Sequence, residues 1–294
     1  MKKNYKRKKM LPFDYINYIG LAILAFITFY PIWYVLIGSF NDGVDYLKGG
    51  VGLFPRVFTM SNYIVVFLDN GIWMSYLVTI LRTVLGTVLA LLFTTAVAYA
   101  MSRPKLKFKS PIYWLSIFTM FFSGGLIPGF LLIKILGLYD SFLVYIIPAM
   151  YSVYNMIIAQ NFFKTIPDEL HEAAEIDGLY EIQIYFKIYL PLSKPMLATL
   201  ALWIIVGHWN SYYDTMLYTQ NKDLQTLQYY LMRMIKNASI STSNPGLSDN
   251  VLERISTETV TYAAIIVSIL PILVVYPFLQ KYFEKGIFLG SLKS

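Results

Sequence analysis

The sequence predicts an all-α integral membrane protein with six transmembrane helices. Three observations carry this expectation. Hydrophobic residues make up 57% of the 294 against 14% charged, the apolar residues gather into long runs, and no run alternates like a barrel strand. A span needs about 20 mostly apolar residues, and in hydrocarbon only helices or closed barrels satisfy every backbone group.

Six stretches meet that length: residues 15–40, 72–101, 111–136, 141–163, 196–217 and 260–283. The first follows Lys2, Lys3, Lys6, Arg7, Lys8 and Lys9 and could imitate a signal peptide. It is too long and lacks a small-residue cleavage site, so it is read as a retained span. In the third, Ser123-Gly124-Gly125 and Pro128 interrupt the apolar run, which fits a continuous, a broken or a re-entrant helix. The expected organisation is a basic amino terminus (1–14), one membrane domain (15–283) and a short tail (284–294). Within the membrane domain lie an inner loop at 164–195 and an outer loop at 219–259, and the Ser-, Asn- and Gly-rich residues 237–250 are its expected mobile part.

The net charge of +7 does not point to nucleic acid, because the basic residues cluster beside spans, at the amino terminus and at Arg103, Lys105, Lys107 and Lys109. Six spans place both clusters, with Lys281, Lys285 and Lys293, on one side of the membrane. Basic flanks favour the cytoplasm, so both termini are expected there. Tyr15, Tyr18, Trp33, Trp73 and Tyr282 near span ends read as interfacial anchors. The absence of cysteine excludes a disulfide framework, and His171 and His208 are too few for a histidine-built metal site.

The inner loop carries the most information. Pro167 suits a first helical turn, Thr165 with Asp168 fits a capping box, and Asp168 and Glu169 complement the helix dipole. Gly178 supplies a stop. Ala173 and Ala174 leave a stretch without bulk, rimmed by Glu172, Glu175 and Asp177. That is either a docking element for another protein or a solvated acidic connector.

Glu172-Ala173-Ala174, Asp177-Gly178, Phe186, Ile188, Leu190-Pro191 and Pro195 resemble the EAA loop of binding-protein-dependent ABC importers, between the fourth and fifth of six spans. The resemblance implies a coupling helix seated in a cleft of an ATP-hydrolysing subunit, with Glu172, Ala173, Ala174, Asp177, Gly178, Leu190 and Pro191 as its residues. It extends over nearly the whole chain and is best to the MalG-type carbohydrate permease branch, in which Trp209-Asn210 and the tail 285–293 also find counterparts. Leu179 departs from that branch's usual alanine, and Ser291 and Ser294 stand where smaller residues are commoner. Residues 122–128 and 224–229 are similar to a subgroup serving larger, sometimes acidic, oligosaccharides. Implied partners are a second homologous permease, two ATPase subunits carrying ATP and Mg, and an extracytoplasmic solute-binding protein, all at a bacterial cytoplasmic (inner) membrane. No cofactor is implied on this chain.

No Gly-x-x-x-x-Gly-Lys-Ser/Thr cradle is present to hold nucleotide phosphates. His171-Glu172-Ala-Ala-Glu175 has glutamate where a zinc protease needs its second histidine. Within the fifth span, His208, Ser211 and Asp214 fall three apart and can share a helical face, beside Trp209, Asn210, Tyr212 and Tyr213. An aromatic, hydrogen-bonding surface suits a sugar, while the bland reading is hydrogen bonding between helices or a position at the outer interface. Arg82 and Lys134 are expected to snorkel outward, the alternative being contact with an anionic substrate, in which Arg82 gains interest if that substrate is a uronic sugar. An ion-driven secondary transporter would need paired buried carboxylates and inverted repeats, which the sequence does not display. An intramembrane enzyme could draw only on His208, Ser211 and Asp214.

Overall fold

A computed structural model describes residues 12–237, 251 and 253–291, with side chains only as far as Val274 in the last helix. The basic cluster at residues 2–9 and the Ser- and Asn-rich residues 238–250 lie outside the described residues, as do the side chains of the tail. Among the described residues there is no strand, only an isolated bridge between Asn41 and Phe58. Three helices are long and apolar enough to cross a bilayer, and three bent helix pairs pass the same test together. Counting each pair as one span gives the expected six. Two compact units result, one from the chain up to Asp69 with Met234–Ser268, the other from Asn70–Arg233 with the chain from Ile269 onward.

In the first unit, α1 (Pro12–Ser39) is a span whose most apolar stretch is wholly uncovered by its own chain. In water such a surface would drive aggregation; in a bilayer it faces lipid or another subunit. After it, α2 (Gly43–Leu47) starts on Asp42, whose carboxylate accepts from the amides of Val44 and Asp45. Hydrogen bonds from Asn41 and then Arg56 hold the Asp45 carboxyl below the usual carboxylate range. Next comes α3 (Ser61–Leu68), where buried Asn62 donates to the carbonyls of Ser39 and Asn41 and accepts from Thr259 Oγ1. Gly43 is required here, because a Cβ would stand 2.1 Å from the Ser256 amide nitrogen.

The second unit is built around α4 (Asn70–Ser102), whose buried stripe recurs every three or four residues: Ser75, Thr79, Arg82, Thr83, Gly86, Thr87, Ala90, Thr94, Ala98. Small and hydroxyl-bearing residues let helices approach closely where lipid gives no hydrophobic drive. Against this stripe lie α7 (Val153–Phe163) and α11 (Lys194–Asn210). The third span is broken, as its glycines allow. Gly125, at φ +90, separates α5 (Lys109–Phe121) from α6 (Leu126–Ile135), and their axes differ by 117°. In the fourth, 3₁₀ turns at Phe142–Tyr145 and Ile147–Ala149 precede α7 at a 47° bend.

The fifth expected span, 196–217, is not one helix. It divides at Ser211 into α11 and α12 (Tyr213–Tyr218). Between α7 and α11 come α8 (Asp168–Ile176), α9 (Glu181–Ile184), a wide π turn over Tyr185–Tyr189 and α10 (Leu190–Leu192). This second helical stretch meets α11 at 85°, with Pro191 and Pro195 removing amide donors around the corner. The chain ends in α13 (Leu227–Asn237) and the long α14 (Thr257–Ser291).

Candidate functional site

The loop after α7 carries a helix held on one side only. Asp168 opens α8, and Pro167, at φ −56 and ψ 134, occupies the cap. The expected capping box is absent. Thr165 closes the end of α7, its amide and hydroxyl both donating to the Phe162 carbonyl, and so lies outside the new helix. Gly178 stops α8 as expected, at φ +80. Its amide donates to Glu175 O (3.0 Å) and that of Leu179 to Ala174 O (3.0 Å), a Schellman end.

The inward face of α8 is His171 and Ala174, and Ala174 packs in a core with Tyr99, Phe163, Ile184, Tyr185 and Tyr189. Here the structure divides the two alanines: Ala173 is exposed, but Ala174 is filled in by its own chain and is not open to a partner. Four residues that spacing did not single out hold the loop down. Arg103 sits over the rings of Tyr99 and Tyr189, at 5.6 and 4.9 Å, and faces Asp168 at 3.6 Å. Tyr99 donates to the Glu181 carboxylate. Their only sequence signal was the basic run containing Arg103, which spoke for topology alone.

Facing out are Glu172, Ala173 and Asp177, with Leu170 and Ile176, the last 86% exposed, and Tyr180 just beyond. Leu190 packs half-buried against the same core, and Pro191 is exposed after the π turn. The turn's wider bond runs from the Leu190 amide to Tyr185 O. The result is an apolar and acidic outer face on a helix whose other face is anchored.

The second constellation lies at the end of α11 and in the turn to α12. His208, Ser211 and Asp214 do not share one helical face. Ser211 is extended, at φ −76 and ψ 129, because the Asp214 carboxylate accepts from Ser211 Oγ (2.9 Å) and from the Thr215 amide (2.9 Å) and curls the chain into a turn. His208 is buried against Gly86, where a Cβ would lie 2.5 Å from Nε2. Trp209 is buried edge-on to Tyr76, at 6.3 Å, while Asn210, Tyr212 and Tyr213 are exposed.

Arg82 does not snorkel. About 18 Å along α4 from Asn70 by helical rise, its side chain is 3% exposed. The guanidinium forks onto both carboxylate oxygens of Asp214 and lies 4.5 Å from the centre of the Tyr145 ring. The reason is a carboxylate supplied from 132 residues away, which neutralises the cation where it stands. Lys134 does stay exposed, beside the rings of Phe130 and Tyr139. Arg82 Nε, Thr83 Oγ1, Thr87 Oγ1 and Trp209 Nε1 are buried without a hydrogen-bond partner. Thr83, Thr87 and Trp209 also line a cavity of about 420 Å³ between α4, α11 and α14. Residues 224–227 close over the same end of α4, where the Leu227 amide donates to Thr79 Oγ1 at 2.8 Å.

A helical protein with six candidate spans, an anchored helix between the fourth and fifth and a buried ion pair reaching from α4 to the end of α11 has the build of a membrane transport component. Residues 10–289 match the binding-protein-dependent transport system inner membrane component family, and the chain belongs to it. It is 38% identical to protein LplC of Bacillus subtilis (strain 168), over 96% of this chain and 95% of that one. It is 37% identical to the polygalacturonan/rhamnogalacturonan transport system permease protein YtcP of the same organism, over 96% and 98%. The solved structure of a bacterial ABC transporter involved in the import of the acidic polysaccharide alginate contains a similar chain, with TM-score 0.87 and 36% identity over 92% and 96%. The protein is thus a multi-pass permease subunit of an ABC importer, a class that works with a partner permease, ATPase subunits and a binding protein. The ion-driven carrier and the intramembrane enzyme are set aside.

Proposed function

We propose that this subunit forms half of the path for a sugar oligomer and that α8 transmits ATPase closure to the spans. The observation that carries the coupling role is the two-faced α8: its inner face is locked by Ala174, the Gly178 stop and the Arg103–Tyr189 contact, so force on its outer face moves α7 and α11. The outer face, with Glu172, Ala173, Ile176 and Asp177, fits a cleft on an ATPase subunit; Leu190 and Pro191 relay it through the 85° corner into α11. ATP and Mg are held by two such ATPase subunits, and both termini of this chain lie with them in the cytoplasm. A second, homologous permease completes the path.

On the substrate side, His208, Trp209, Asn210, Ser211, Tyr212, Tyr213 and Asp214 mark the path. The exposed rings of Tyr212 and Tyr213 suit the apolar faces of a sugar, and the exposed amide of Asn210 beside them suits its hydroxyls. Relatives named for polygalacturonan and rhamnogalacturonan, and the alginate importer, support a carboxylate-bearing oligosaccharide.

The test is to purify the chain with its partner subunits and compare wild type with Ile176→Asp and Gly178→Arg. ATPase subunits are expected to be lost on purification, or ATP hydrolysis to stop responding to loaded binding protein, with the spans still folded. Full retention of both would remove the coupling role from α8.

A further inference from the structure

We infer that Arg82 is the receptor for a substrate carboxylate and that Asp214 is its resident stand-in, which the incoming acid displaces. The inference rests on the reading of this subunit as an importer of acidic oligosaccharides and assigns the charge selection to one pair.

Three observations set this pair apart from a structural staple. First, its two ends differ in access: the Arg82 side chain is 3% exposed and that of Asp214 is 24% exposed, so the pair opens towards its anion. The cation is fixed and the carboxylate is the replaceable partner. Second, Arg82 is pre-aimed by groups that do not depend on Asp214. The Tyr145 ring lies against the guanidinium, and the Tyr145 hydroxyl is itself tied to the Leu224 carbonyl at 2.7 Å. Third, the guanidinium is incompletely satisfied, since Nε is buried without a partner. A buried ion pair retained purely for stability has its remaining donors satisfied, because otherwise desolvation outweighs the attraction.

The chemistry is an exchange of like for like. A hexuronate carboxylate has the same planar pair of oxygens as Asp214, so it can take the same fork of Nη1 and Nη2, while Asp214, the more exposed member of the pair, carries its displaced charge towards solvent. Released Asp214 keeps two donors, Ser211 Oγ and the Thr215 amide. Tyr212 and Tyr213 stand exposed on the same turn, where sugar rings can stack. A neutral sugar has no group that exchanges for Asp214, so the pair stays closed to it.

The experiment uses the complete importer in proteoliposomes and two probes of equal length, an oligogalacturonate and its methyl ester, which lacks the charge. With Arg82→Gln plus Asp214→Asn, a neutral pair of similar shape, the ratio of acid to ester transport is expected to fall at least about tenfold, about 1.4 kcal/mol of discrimination. Asp214→Asn alone, which keeps Arg82 and leaves its fork without a resident carboxylate, is expected to lower the half-saturating acid concentration about tenfold relative to the ester. An unchanged ratio in both variants, or equal losses for both probes, overturns the inference and leaves a structural staple. Wild-type importer that moves the ester as well as the acid also overturns it, with the sugar reading intact. Wild-type importer that moves neither probe overturns the reading of the substrate itself.

Discussion

The α8 loop and the Arg82–Asp214 pair both depend on charge, and they use it in opposite surroundings. Around α8 the pairs are long and wet: Arg103 faces Asp168 at 3.6 Å and Lys105 faces Glu175 at 3.8 Å, with Asp168 74% and Lys105 85% exposed. Such pairs contribute from nothing to about 1 kcal/mol each. The loop therefore owes its shape to Ala174, Tyr189 and the Gly178 stop, and its charges remain available to another subunit. At the end of α11 the pair is forked, and Arg82, its buried member, needs an anion where it stands.

The largest effect expected is from Arg82→Ala, which leaves the Asp214 carboxylate unpaired and costs about 3–5 kcal/mol, read as a fall in the thermal midpoint of the detergent-solubilised subunit. A midpoint within a degree of wild type would erase the contrast between the two regions. Next is Gly86→Val, whose Cβ meets the His208 ring at 2.5 Å. Overpacking there costs about 1–3 kcal/mol, and Gly86→Ala with His208→Ala should recover part of it in the same assay. Gly178→Ala meets no atom within 4 Å, so only its φ of +80 matters. About 1–2 kcal/mol of backbone strain is expected, with coupled ATP hydrolysis weakened more than stability. Smallest in stability is Asp168→Ala, within about 0.5 kcal/mol, since Arg103 keeps its two rings. A large destabilisation there would show that the wet pairs of α8 hold the loop after all.

What could be read in the sequence follows the same division. The spans and the α8 loop were legible because each is encoded locally, by an apolar run or by a glycine stop following a proline-led turn. Even so, local spacing misplaced the cap at Thr165, which belongs to the turn before, and grouped Ala173 with Ala174, which face opposite ways. Breaks in the fourth and fifth spans were hidden because hydropathy counts apolar residues and does not register a carboxylate that bends the chain around itself, as Asp214 does. Arg82 was misread for the same reason: nothing near it in sequence announces Asp214 or Tyr145. Residues joined across the fold leave no period to read.

That 132-residue separation also governs how the subunit is made. At about 5–20 residues per second, roughly 7–26 s pass between synthesis of Arg82 and synthesis of Asp214. During that interval the second span enters the bilayer with a bare cation, a burden of about 2.5–3.5 kcal/mol on insertion scales. The rest of α4, with a mean hydropathy of 2.0 over its most apolar stretch, is what carries it in. The nascent helix is thus provisional until the fifth span arrives, and a quality-control protease that recognises lone intramembrane charges has a defined window in which to act on it.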